Sequence, residues 1–123
     1  MMQITAEKMA VYQATARRRW TQEQRQLAMR YERAWSVARQ AGAVLREQFG
    51  ARRVVVFGSL VRQNLFHSRS DVDLAVWGLE ERSYYRAVAQ LLALDPAVEV
   101  DLVMAEEAPP ALLCTIEREG VAV

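Results

Sequence analysis

Three aspartates sit inside apolar runs of this 123-residue chain, and a Gly-Ser pair precedes them. Val54-Val-Val-Phe-Gly58-Ser59 is followed, after eleven residues, by Asp71-Val-Asp73-Leu-Ala-Val, and later by Val98-Glu-Val-Asp101-Leu-Val. Carboxylates among strand-forming residues are costly, because desolvating a charge takes several kcal/mol unless a partner compensates it. A bound divalent cation is the simplest partner for three such groups, and it points to phosphate chemistry. In a strand, alternate side chains share a face, which places Asp71 and Asp73 on one side with α-carbons about 6.5 Å apart. If the strand carrying Asp101 is the neighbour, about 4.8 Å away, its carboxylate joins them. Three carboxylates on one face suit two Mg²⁺ ions about 3.5–4 Å apart. One ion would hold a triphosphate; the other would activate an attacking hydroxyl, with Asp101 as candidate base.

Gly58 and Ser59 supply the other half of such a site. A glycine at a strand end lets backbone approach a phosphate with no Cβ in the way, and the serine adds a hydroxyl donor. Arg62, three residues on, falls on the same side of a turn as Ser59 and can reach a phosphate oxygen. Ser70 either caps the start of the second strand or contacts the nucleotide. His67 is a loop histidine beside Phe66, with contact to nucleotide or acceptor as its alternative. Trp77 suits packing better than adenine stacking. Cys114 is expected to be a small buried hydrophobe.

The elements that must position these residues are legible from pattern. Residues 5–49 contain one glycine and no proline and are rich in Ala, Gln, Arg and Glu, which is helix composition. Trp20, Leu27, Tyr31, Ala34, Ala38, Ala41 and Leu45 form one apolar stripe at helical spacing. Thr21 with Gln24 has the form of a capping box that would restart a second helix; one continuous helix is the alternative, and Gly50 suits its C-terminal cap. Arg53–Phe57 reads as a strand covered on both faces. Residues 60–70 form a loop with room for a short helix after Ser59. Strands are predicted over 71–77 and 98–104, and a helix over 80–94 with Tyr84, Val88, Leu91 and Leu92 on one side. Pro110 suits the first turn of a last helix that buries Leu112, Leu113 and Ile116 and is capped by Gly120. Residues 121–123 fit a short edge strand.

Composition narrows the class. Just over half the residues are apolar, ample for a globular core. No stretch approaches the roughly 18 apolar residues of a membrane span, and no signal-peptide pattern opens the chain. The lone cysteine excludes an internal disulfide and a cysteine zinc cluster. A cytoplasmic location fits these features. Charge is split: residues 1–50 carry nine basic against four acidic side chains, and residues 51–123 carry seven against eleven. Arg17, Arg18 and Arg19 read first as an exposed helix face, then as a partner interface. Nucleic acid is disfavoured as a partner, since no aromatic residues interleave with the basic ones.

Taken together, Gly58-Ser59, Asp71-x-Asp73 and Asp101 resemble the nucleotidyltransferases of the DNA polymerase β superfamily, and within these the minimal nucleotidyltransferases. The match covers residues 50–123. Arg62 corresponds to a basic residue often found three after the serine. The spacer is one residue longer than the commonest minimal form, and Gln63 stands where many members have glycine. The resemblance implies an α+β fold, a small mixed β-sheet core flanked by helices, with a helical extension over 1–49 and a catalytic core over 50–123 in a single nucleotidyltransferase domain. It implies ATP as donor, Mg²⁺ held by Asp71, Asp73 and Asp101, and nucleotide contacts from Gly58, Ser59, Arg62 and Ser70. Such proteins are often paired with a small all-helical HEPN protein as antitoxin beside toxin. The implied reaction is AMP transfer to a tyrosine of that partner. A non-catalytic binding antitoxin and transfer to a small molecule are the alternatives.

Overall fold

The computed structural model describes residues 5–123; the first four residues of the expected extension lie outside the described residues. One helix, α1 (Ala6–Phe49), runs unbroken for 44 residues. Thr5 caps it by accepting the Lys8 N–H at 3.2 Å. The Thr21–Gln24 pattern does not restart a helix, because no glycine or proline interrupts the run and propagating a formed helix is cheaper than nucleating a new one. Gly50 ends it in the left-handed conformation at φ +70°, and its N–H reaches the Leu45 carbonyl. The apolar stripe meets the core only from Leu27 onward. Ala34, Ala38, Ala41 and Leu45 are buried, whereas Trp20, on the same apolar stripe, is 64% exposed. The helix simply runs past the body it packs on.

Four strands, β1 (Arg53–Phe57), β2 (Val72–Trp77), β3 (Val100–Met104) and β4 (Val121–Ala122), form one sheet in the order β3-β2-β1-β4. β1 is antiparallel to β2 and β4, and β2 is parallel to β3, so the sheet is mixed. Helices α2 (Tyr84–Leu94) and α3 (Pro110–Glu119) complete the α+β fold. Alternation divides the strands cleanly. Val54, Val56, Val72, Leu74 and Val76 pack beneath α1 and α2, and fully burying each such side chain contributes about 1.5–3 kcal/mol. Val55 and Ala75 face the other way, against Ile116 of α3. The continuous valine run therefore reflects a strand covered on both faces.

Several boundaries differ from the pattern-based expectations. α2 starts at Tyr84 after a 3-10 turn over Glu81–Ser83. Leu92 is exposed, because the buried side of α2 is drawn by Ala87 and Leu91 and the next residue turns away. Cys114 is exposed rather than buried: α3 meets the sheet through Ile116, and a residue two positions earlier points away from that contact. β2 begins at Val72 and β3 at Val100, so Asp71 sits just before its strand. Among the described residues no helix is long and apolar enough to cross a membrane.

Candidate active site

The strand register assembles the acidic residues. Asp73 is level with Asp101 on the parallel neighbour β3 and with Phe57 on the antiparallel neighbour β1. β1 ends where β2 and β3 begin, so Gly58-Ser59, Asp71, Asp73 and Asp101 gather at one end of the sheet. Asp73 shares its face with Ala75, the face opposite α1 and α2. α3 packs on that face through Ile116. Asp73 and Asp71 are half-buried and Asp101 is exposed.

Gly58 is required there on two grounds. Its φ is +78°, a conformation that L side chains rarely adopt, and a Cβ on it would run into the Asp73 carboxylate. Asp73 pays electrostatically for its position: burial, then the Asp101 carboxylate, then that of Asp71 push its pKa up to about 6. A cation is the natural complement to such a cluster. Among the described residues, no three acidic, histidine or cysteine side chains converge closely enough, as they stand, to hold a metal ion. Magnesium does not ask for that; it takes one or two protein carboxylates and completes its shell with water and substrate phosphate. An all-oxygen pair, Asp73 with Asp101, and Asp71 at the rim fit this requirement.

Ser59 lies in a 3-10 turn (Gly58–Leu60) anchored by buried Leu60. Arg62 is engaged: its guanidinium forks onto Glu119 at the end of α3, with Nε 2.9 Å from Oε2. That contact holds the Glu119 carboxyl below its ordinary range. Nothing local in the sequence signals the pair, whose members are 57 positions apart. Ser70 is buried, and its Oγ accepts the His67 N–H at 2.9 Å while its own N–H donates to the His67 carbonyl at 3.0 Å. These two bonds close the loop. Exposed His67 accepts the Arg69 N–H through Nδ1 at 3.1 Å. The loop is pinned to α1 by buried Phe66, whose ring meets Tyr31 edge-on at 5.2 Å between centroids. Phe66 and Tyr31 therefore position the segment between Ser59 and Asp71, a role visible only once α1 is seen to cross it. Trp77 lies at the far end of β2 beneath the Arg53 guanidinium, 4.2 Å from the ring centre, and packs rather than offering a free stacking face.

A mixed sheet presenting carboxylates from adjacent parallel strands beside a glycine turn defines a nucleotidyltransferase fold. The polymerase beta nucleotidyltransferase family model matches residues 40–123, and the chain belongs to that family. No curated protein matches it significantly by sequence. Among solved structures, it is similar to a mutant MntA-HpeT toxin-antitoxin, with 21% identity over 69% of this chain and 70% of that one and a TM-score of 0.58. It is also similar to a toxin-antitoxin with AMP-PNP, at 25% identity over 65% and 66% of the two chains and a TM-score of 0.55. The MntA-HepT toxin-antitoxin gives 20% identity over 72% and 69%, with a TM-score of 0.54. The chain spans about two thirds of the length of these structures.

Proposed function

We propose that this protein is a Mg²⁺-dependent nucleotidyltransferase that moves AMP from ATP to a tyrosine hydroxyl of a small helical HEPN-type toxin, and so acts as its antitoxin. The observation that carries the proposal is the register of Asp73 with Asp101, beside a glycine whose missing Cβ makes room for the Asp73 carboxylate. Membership of the nucleotidyltransferase family supports the reaction class. Likeness to a toxin-antitoxin with AMP-PNP supports the donor and the partner. Residues 50–123 would form the catalytic core of a single domain, with α1 as its extension.

Asp73 and Asp101, with Asp71 beside them, would hold the metal; when bound, it neutralises the triphosphate and lowers the pKa of the attacking hydroxyl. Gly58 and Ser59 would receive phosphate oxygens at the end of β1. Asp101, the most exposed of the three, would take the proton of an incoming hydroxyl. Transfer would rest on positioning and charge neutralisation rather than a covalent enzyme intermediate. The test is incubation with α-³²P-ATP, Mg²⁺ and a lysate of the source cell. Label on one small protein, absent with Asp71→Asn/Asp73→Asn, is expected. Equal labelling by the variant, or no label on any macromolecule, would refute the proposal.

A further inference from the structure

The buried stripe of α1 continues past the sheet. Met9, Tyr12, Ala16 and Trp20 repeat at three- and four-residue intervals, and the phase carries on through Leu27 and Tyr31 into the core. Leu27 and Tyr31 pack against the core, but Tyr12 is 60% and Trp20 is 64% exposed. Residues 6–26 thus form an arm about 30 Å long at 1.5 Å per residue, with an unpartnered apolar face. The arm is basic, with five Lys/Arg against two Glu. Among the described residues, none of Arg17, Arg18, Arg19 or Arg25 has an ion-pair partner. Two such arms repel each other, so an acidic surface complements the arm better than a second arm does.

The body of the same chain offers one. Residues 51–123 carry four more acidic than basic side chains. Where the start of α2 faces the end of β3, a cleft is lined by Glu81, Tyr85, Met104, Glu107 and Pro109. Tyr85 is 84% exposed. Among the described residues neither Glu81 nor Glu107 is ion-paired, although Glu80, Glu106, Glu117 and Glu119 all are. A cleft lined by apolar side chains and two unpaired carboxylates complements an apolar stripe that has Arg17 and Arg19 beside it.

We propose that the arm docks on this acidic cleft of a second copy of the chain, giving a reciprocal two-fold dimer in which each body receives the other's arm. Like-charge repulsion between arms disfavours helix-on-helix pairing, and charge complementarity favours arm on body.

The test is sedimentation equilibrium of the full chain and two charge-reversed variants, with helicity checked by circular dichroism. The arm variant is Arg17→Glu/Arg18→Glu/Arg19→Glu; the body variant is Glu81→Lys/Glu107→Lys. The unaltered protein is expected to dimerise more tightly at low salt than at high salt. Each variant alone should dissociate at least about tenfold more readily. An equimolar mixture should recover a dimer, since every arm then meets a body of opposite charge. A wild-type protein monomeric at all concentrations would overturn the proposal. So would variants that dimerise as well as wild type, or a mixture that stays monomeric; a helical toxin that binds the arm of such a monomer would identify the other occupant. None of these readouts depends on nucleotidyl transfer, so the dimer and the proposed activity stand or fall separately.

Discussion

Removing the charge of Asp73 should stabilise the metal-free protein while destroying its activity. Burial and the neighbouring carboxylates raise this acid from 3.8 to about 6. At about 1.4 kcal/mol per tenfold change that displacement corresponds to about 3 kcal/mol. The side chain is only half-buried and water screens it, so about 1–2 kcal/mol is the expected effect. The sign follows from linkage. Between pH 3.8 and about 6 the native state holds a proton that the unfolded chain has released, so stability is lost as pH rises through this window. Below it both states are protonated and the cost vanishes; above it the cost is complete. Asp73→Asn should therefore raise stability by about 1–2 kcal/mol at pH 8 in EDTA, roughly 3–8 °C in Tm for a domain of this size, and the gain should vanish near pH 4. Urea unfolding of both proteins across pH measures it, and taking the difference cancels acids shifted the other way, such as Asp95 and Glu117. A destabilised Asp73→Asn at pH 8, or a difference independent of pH, would refute the electrostatic reasoning.

Three other perturbations bear on the same site. Gly58→Ala should cost about 1–2 kcal/mol from positive-φ strain and abolish transfer by displacing the Asp73 carboxylate; unchanged turnover would show that the glycine turn does not shape the site. Glu119→Gln should free the Arg62 guanidinium and tighten ATP binding in titration calorimetry, whereas weaker binding would mean that Glu119 holds Arg62 in its working position. Phe66→Ala should cost about 3–4 kcal/mol and raise hydrogen exchange across 60–70, with wild-type exchange there contradicting the pinning of this loop on Tyr31.

The gathering of the candidate site residues at one sheet end could be anticipated from sequence because the pattern behind it is local. Strand periodicity and an Asp-x-Asp pattern place Asp73 on its face, although the expected burial of the carboxylates is only partial at Asp71 and Asp73 and absent at exposed Asp101. The order of elements was legible for the same reason. What could not be read depends on contacts between distant segments. Arg62 meets Glu119 only because α3 ends beside the turn after β1. Ser70 turns inward to His67 because the loop folds back on α1 through Phe66. Trp20 and Cys114 carry the right residue types for burial, but periodicity cannot tell where the opposing surface stops. Asp71 shows the limit of strand alternation, since it lies just before β2.

The most direct measurement is mass spectrometry of a purified HEPN-type partner after incubation with this protein, ATP and Mg²⁺. The proposed function predicts AMP on a tyrosine of the partner, with pyrophosphate released, and neither product with Asp71→Asn/Asp73→Asn or in EDTA. An unmodified partner that is nevertheless bound and silenced equally well by the double variant would contradict catalysis and leave a protein that acts by binding alone.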